Sequence, residues 1–157
     1  MVGYLDEVVT FNRLFRGMSD RVLIRWLQVA CLLTAMLGLF ASGGSYTPTQ
    51  EPWRLLFDVV TWPLDGHPQG FTSETASVNA VVGGVMVGWA VLMFAVVTGP
   101  IARGDRGMID AMLACVLTWF FIDSAGSVAA DFVGNVVLNV GSMLAFVLPL
   151  LVLRSRA

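Results

Sequence analysis

The sequence has few charged side chains, no lysine, one histidine and two cysteines. Only 13% of its 157 residues are charged, whereas about 25% are charged in an ordinary soluble domain. Because 57% of the residues are hydrophobic, the composition excludes a soluble globular enzyme. It also excludes a disordered or collagen-like chain, which has fewer large apolar residues or a regular glycine period. The composition therefore predicts a membrane protein.

The scarcity of histidine and cysteine excludes several kinds of cofactor site. His67 is the only histidine, so one chain cannot supply two histidine ligands to haem, zinc or iron. Cys31 and Cys115 both lie inside apolar runs, which argues against a disulfide in an aqueous compartment. We therefore expect no metal, no cofactor and no catalytic residue set. The net charge of -2 gives no indication of nucleic-acid binding.

Four apolar segments are long enough to span a bilayer, which takes about 20 residues in a helix. The second is the clearest, because it carries no charge and ends at Gly99-Pro100. The third reaches the required length only if Asp123 lies inside it. The predicted spans are residues 21–42, 77–98, 108–129 and 132–153. Residues 1–157 are thus expected to form one all-α membrane domain, a four-helix bundle.

The arginines are unevenly distributed between the two ends of these spans. Eight of the nine lie before or in the first two turns of the first span, in the second loop or after the last span, and only Arg54 lies in the first loop. Positively charged residues accumulate on the cytoplasmic side of membrane proteins. The pattern therefore predicts that both termini are cytoplasmic, which requires an even number of spans.

Two further segments are predicted to be amphipathic helices lying in the membrane interface. In residues 1–18, aromatic and aliphatic side chains from Tyr4 to Phe15 recur at helical spacing. In the first loop, Pro52 can open a short helix that places Trp53 and Phe57 on one face. Tryptophan prefers the headgroup level, which favours an anchor over a functional lid.

A short internal similarity raises the hypothesis of two repeated helical hairpins. Residues 30–34 of the first span match residues 114–118 of the third, and residues 79–82 resemble residues 135–138 near the starts of the second and fourth. Some transporter folds contain parallel repeats of this kind. Because the spans contain few types of residue, chance similarity explains the match equally well.

Polar residues in the spans converge on one leaflet. Polar groups inside a membrane cost free energy unless they are paired, so we expect these side chains to point into the bundle. At 1.5 Å per residue, Asp123 and Asn139 both lie within roughly 10 Å of the outer interface, and they are predicted to meet. The predicted intramembrane cluster comprises Glu74, Asn79, Asp123, Ser127, Asn135 and Asn139.

Three interpretations of this cluster stay open. The amides and hydroxyls can simply tie the third and fourth spans together, at about 0.6 kcal/mol per contact. Alternatively, a carboxylate among amides can serve as a proton or small-molecule site. In the third interpretation, acidic residues of the outer side form a docking surface for a partner through charge. Those acidic residues are Glu51, Asp58, Asp65, Glu74 and Asp131.

Glycines in the second span predict close helix packing. Gly84 and Gly88 form a small-xxx-small pair, which lets another helix backbone approach. We expect the partner to lie within the chain, for example at Gly134 and Gly141 of the fourth span. A neighbouring chain is the alternative.

Residues 73–151 carry the strings ET (74–75), GWAVLM (88–93), WFFIDSAGS (119–127) and NVVLNV (135–140). In these strings the chain resembles an uncharacterised family of small bacterial four-helix inner-membrane proteins. The resemblance implies location in a bacterial inner membrane and implies no substrate or catalytic role.

These observations lead to one functional expectation and two alternatives. The chain is expected to be a non-catalytic integral inner-membrane protein that serves as an accessory or assembly subunit of a larger membrane complex. Its partners would be the lipid bilayer and other membrane-protein subunits, with no nucleic acid. The alternative is a small transporter or a small-molecule- or proton-binding membrane protein centred on Asp123. A membrane enzyme comes third, in which Asp123 and Glu74 would form an acid–base pair.

Overall fold

The computed structural model describes residues 17–61 and 70–157. These residues form five α-helices, two short 3-10 turns and no strand. Four of the helices are long and apolar enough to cross a membrane, so the predicted all-α four-helix fold is confirmed. The segment predicted as an amphipathic helix at residues 1–18 lies, apart from Gly17 and Met18, outside the described residues. The helices are α1 (Asp20–Gly43), α2 (Glu51–Val60), α3 (Ser73–Thr98), α4 (Arg106–Ala129) and α5 (Val133–Arg154).

Consecutive long helices run in opposite directions and pack in two pairs. Helix α1 packs on α3, helix α4 packs on α5, and a contact between α1 and α5 joins the pairs. We call the end that holds Asp20 and Arg154 the terminal end, and the opposite end the cap end. The buried apolar core lies towards the terminal end, because it draws on the first halves of α1 and α4 and the second halves of α3 and α5.

Two ion pairs hold the end of α5 to its neighbours at the terminal end. Arg154 donates to both carboxylate oxygens of Asp110 in the second turn of α4. Arg156 donates to Asp20 of α1 at 2.7 Å and to the Met18 carbonyl at 2.9 Å. Exposed ion pairs of this kind contribute little stability individually. Together they tie the carboxyl-terminal residues to the beginnings of α1 and α4.

The contact between α1 and α3 depends on Gly83. A Cβ atom at this position would lie 2.3 Å from the Ser42 backbone nitrogen and 2.5 Å from the Gly38 carbonyl oxygen. Only glycine therefore permits the two backbones to approach this closely. The predicted packing of Gly84 and Gly88 within the chain is wrong, because a Cβ atom on either would meet no described atom within 4 Å. Successive residues point about 100° apart around a helix, so Gly84 faces away from the contact that Gly83 makes.

Helix α2 lies across the cap end of the bundle. The ring of Phe57 stacks on that of Phe132 with centroids 5.5 Å apart. The Val60 carbonyl oxygen approaches Gly134 so closely that a Cβ atom there would lie only 2.0 Å away. A short helix therefore exists where Pro52 and Trp53 predicted one, and it contacts α1, α5 and, through the Trp53–Asn79 hydrogen bond, α3. Its position at a membrane interface stays a prediction.

The segments of the internal similarity have different surroundings. Cys31 is buried in the core, whereas Cys115 is exposed on the outside of the bundle. The two matching segments therefore do not place their cysteines in equivalent surroundings. The duplicated hairpin remains a hypothesis.

Candidate functional site

The turn between α4 and α5 places the polar side chains of these two helices opposite each other. Helix α4 ends at Ala129, and Asp131 adopts a left-handed backbone conformation with φ of 55°. The Phe132 nitrogen then donates to the Ser127 carbonyl at 2.8 Å, and the Asp131 nitrogen to the Val128 carbonyl at 3.1 Å. This is the Schellman arrangement that commonly ends a helix. The reversal is tight, so residues a few positions before and after it face each other.

Two asparagines of α5 donate to Asp123 of α4. Asn139 Nδ2 donates to Asp123 Oδ2 at 2.6 Å, so the predicted contact between these residues is confirmed. Asn135 Nδ2 donates to the same oxygen at 3.2 Å. The other hydrogen of each amide goes to a hydroxyl of α4: Asn135 donates to Ser127 at 2.9 Å and Asn139 to Ser124 at 3.3 Å. We call Asp123, Ser124, Ser127, Asn135 and Asn139 the carboxylate–amide cluster.

The burial of the cluster increases from the carboxylate towards the asparagine deepest in the bundle. Asn139 is 4% exposed and Ser127 is 7% exposed, whereas Asp123 is half-buried. Both amide bonds to Asp123 end on Oδ2, and no described residue donates to Oδ1. The cluster therefore fixes α4 against α5 while one carboxylate oxygen stays without a protein donor.

Asn79 does not join the cluster with which it was grouped. Its Oδ1 accepts from Trp53 Nε1 of α2 at 3.1 Å, and the side chain is 5% exposed. Its Nδ2 atom is buried and has no hydrogen-bond partner in the part of the chain that the structure describes. The reason is that α3 packs mainly on α1, so Asn79 faces the end of α1 and the α2 cap and not α5.

Glu74 also lies apart from the carboxylate–amide cluster. It is exposed in the first turn of α3, and none of the cluster hydrogen bonds reaches it. Acidic side chains are favourable in the first turn of a helix, which is a sufficient reason for its position. Glu74 is therefore a surface residue of this structure.

Sequence reasoning missed two members of these polar contacts. Ser124 lies three residues before Ser127 and thus on the same face of α4, and this spacing could have identified it. Trp53 was assigned to the headgroup region, although a tryptophan in a protected position usually needs an acceptor for its indole nitrogen. Its partner Asn79 is distant in sequence, so no local pattern indicates the pair.

The cluster offers one carboxylate and no second acid or base. Within residues 17–61 and 70–157, no three histidine, cysteine or carboxylate side chains lie together as metal ligands. The amide groups act here as donors to the carboxylate and to the serine hydroxyls. Chemically, the arrangement can orient a carboxylate and hold two helices together.

The chain matches no family model, no curated protein and no solved structure. The resemblance over residues 73–151 therefore stays an expectation. What the fold and the polar contacts define is a class: the chain is a multi-pass α-helical membrane protein. Its distinguishing features are the carboxylate–amide cluster between α4 and α5 and the α2 cap.

Proposed function

We propose that the chain is a non-catalytic integral membrane protein of the bacterial inner membrane, an accessory or assembly subunit of a larger complex. Both termini would lie in the cytoplasm. One observation carries the proposal: Gly84 and Gly88 lie on the outside of α3, one turn apart, with open space where their side chains would be.

An exposed surface of small residues favours the association of helices in a bilayer. Helices associate in lipid largely through close packing, and a small-xxx-small pair allows the backbone of another helix to approach. Within the chain this kind of contact occurs at Gly83, whereas no helix among residues 17–61 and 70–157 packs against Gly84 and Gly88. A spanning helix of another subunit fits this surface.

The polar residues support a structural role for the rest of the bundle. Asp123 accepts from two amides of α5, and Asn79 accepts from Trp53. These contacts join α4 to α5 and α2 to α3. They are consistent with a scaffold whose polar side chains stabilise helix contacts.

The test is purification in mild detergent from the native membrane, followed by mass measurement. We expect a stoichiometric partner subunit to remain with the wild-type chain and to be lost from Gly84→Ile/Gly88→Ile. Gly126→Ile is the matched control, because Gly126 of α4 also has open space around its Cβ position. Recovery of the wild-type chain only as a solitary monomer, in several mild detergents, would contradict the proposal.

A second candidate function is a proton-binding or small-molecule-binding membrane protein centred on Asp123. The observation that favours it is the half-buried carboxylate whose Oδ1 has no donor among the described residues. Asp123→Asn keeps the shape of the side chain and removes its charge. If Asp123 binds a proton or a solute, this variant should assemble normally but no longer move protons or solute across the membrane of vesicles. If it is merely less stable, with movement across the membrane unaffected, the cluster is structural.

Cysteine labelling tests the proposed orientation. In a background with Cys31 and Cys115 replaced by alanine, Ser73→Cys should react with a membrane-impermeant reagent from outside the cell. Arg106→Cys should react only after the membrane is opened. Labelling of both positions from the same side would contradict the four-span arrangement.

A further inference from the structure

An apolar groove runs between α1 and α5 on the outside of the bundle. Its volume is about 860 Å³, and Val59 and Val60 of α2 close it at the cap end. The walls are almost wholly apolar, with Leu33 and Leu37 on α1. Thr34 and Ser142 also line the groove, and the Thr34 hydroxyl donates to the Ala30 carbonyl of its own helix at 3.0 Å. The groove therefore offers few polar groups and suits a largely apolar ligand.

The groove continues towards the terminal end and reaches a positive charge. A second cavity of about 480 Å³ shares Ala30, Leu33 and Ala145 with the first and extends to Trp26 and Arg25. From Arg25 to Leu37 the rise along α1 is about 18 Å, close to the half-thickness of about 15 Å for the hydrocarbon core. On α1 the combined surface thus runs from an arginine near the terminal end to about the middle of the bilayer, and on α5 it continues to Val133 at the cap end.

The arginines at this end of the groove carry charge that the described part of the chain does not neutralise. Arg21 and Arg25 are exposed and lie one turn apart on α1. Neither has an ion-pair partner within residues 17–61 and 70–157. The neighbouring carboxylate of Asp20 already accepts from Arg156 at 2.7 Å. Two guanidinium groups therefore face the headgroup level beside Trp26, a residue type enriched there.

We propose that this surface is a binding site for one anionic phospholipid of the leaflet at the terminal end. The phosphate lies at Arg25, and an acyl chain follows the groove between α1 and α5 as far as Leu37. Charge complementarity selects the headgroup, since cationic side chains at the membrane surface attract anionic lipids. This site is separate from the carboxylate–amide cluster and from the exposed glycines of α3.

The lining of the groove favours an acyl chain over a polar or charged ligand. Almost all of the side chains along it are apolar, and Val59 and Val60 of α2 close it at the cap end. A flexible chain without polar groups fills such a space without leaving backbone groups unpaired.

The test is native mass spectrometry of the purified chain titrated with phosphatidylglycerol, with phosphatidylcholine as the neutral comparison. We expect one phosphatidylglycerol per chain to bind more tightly than phosphatidylcholine. Arg25→Gln should weaken this binding about fivefold, whereas Arg25→Lys should retain most of it. Arg103→Gln is the matched control, because Arg103 is exposed at the same end and does not line either cavity.

A second variant tests the acyl-chain part of the site. Gly141 lines the groove, and a Cβ atom there meets no described atom within 4 Å. Gly141→Leu therefore places an apolar side chain in the groove from an unobstructed Cβ position and should lower phosphatidylglycerol binding at least as much as Arg25→Gln does. Gly126→Leu, outside the groove, should bind as the wild type does. Thermal unfolding of every variant verifies that the fold is retained.

Several outcomes would overturn this proposal. Equal losses in Arg25→Gln and Arg103→Gln would mean that only the overall charge attracts the lipid. Unchanged binding in Gly141→Leu would mean that the groove is not the acyl-chain site. Displacement by glycerol phosphate alone would indicate a headgroup site without the groove. A dimer mass that Gly141→Leu removes would assign the groove to a second copy of the chain.

Discussion

Asn139 and Asp123 face each other across the α4–α5 hairpin, and Asn139 Nδ2 donates to Asp123 Oδ2 at 2.6 Å. Because Asn139 is 4% exposed, no other donor easily replaces it. We expect Asn139→Ala to lower the free energy of unfolding by about 1–2 kcal/mol. Denaturation in mixed micelles measures this change. Thr98→Val is the control, since its hydroxyl bonds only to carbonyls of its own helix, and equal losses in both variants would contradict the interhelical role.

Neighbouring glycines of α3 should respond in opposite ways to substitution. Gly83→Ala inserts a methyl group between the backbones of α1 and α3, which we expect to cost about 1–3 kcal/mol. Gly84→Ala points into open space and should change the stability of the monomer by less than about 0.5 kcal/mol. The same unfolding assay compares the two. Similar losses would show that the α1–α3 contact does not depend on Gly83.

The pair of Trp53 and Asn79 lends itself to a double-mutant cycle. Trp53→Phe removes the hydrogen bond that the buried Asn79 side chain accepts, which is the only one it makes with described residues. We therefore expect the free energy of unfolding to fall by about 1–3 kcal/mol. Adding Asn79→Leu removes the unpaired amide and should recover part of that loss. If the double variant is less stable than Trp53→Phe by the full effect of Asn79→Leu alone, the two residues are not coupled.

The turn after α4 offers a stabilising substitution. Asp131 has a φ of 55°, a conformation that glycine adopts without steric cost. We expect Asp131→Gly to raise the free energy of unfolding by about 0.5–1 kcal/mol. Ala130→Gly is the neighbouring control: Ala130 has an ordinary φ of -91°, so added chain flexibility should lower stability there. A loss in Asp131→Gly would indicate a contact of the carboxylate that outweighs the backbone conformation.

The fold and the Asp123–Asn139 contact could be predicted from the sequence, because a bilayer allows few backbone structures and makes unpaired polar groups costly. Four long apolar segments leave few alternatives to a helical bundle. Asp123 and Asn139 are polar groups at similar depth on helices joined by a short turn, so pairing follows from the cost of leaving them unpaired.

The rotation of α3 about its own axis could not be predicted. This helix is apolar on nearly all sides, so its sequence contains little periodic signal for the face that points inwards. The choice between Gly83 and Gly84 as the close contact, and the separation of Asn79 from Asn139, both follow from that rotation. The groove between α1 and α5 could not be predicted from the sequence either, since it depends on how the two helix pairs meet.

The bundle consists of two hairpins, each closed by contacts of its own: α1 with α3 at Gly83, and α4 with α5 at Asp123. The linker between α3 and α4 contains Gly104, whose φ of 79° suits a sharp reversal of the chain. During biosynthesis the first hairpin can thus complete its internal packing before the second leaves the ribosome. Insertion of the chain need not wait for the whole polypeptide, and the α2 contacts at Phe132 and Gly134 would then form as a closing step.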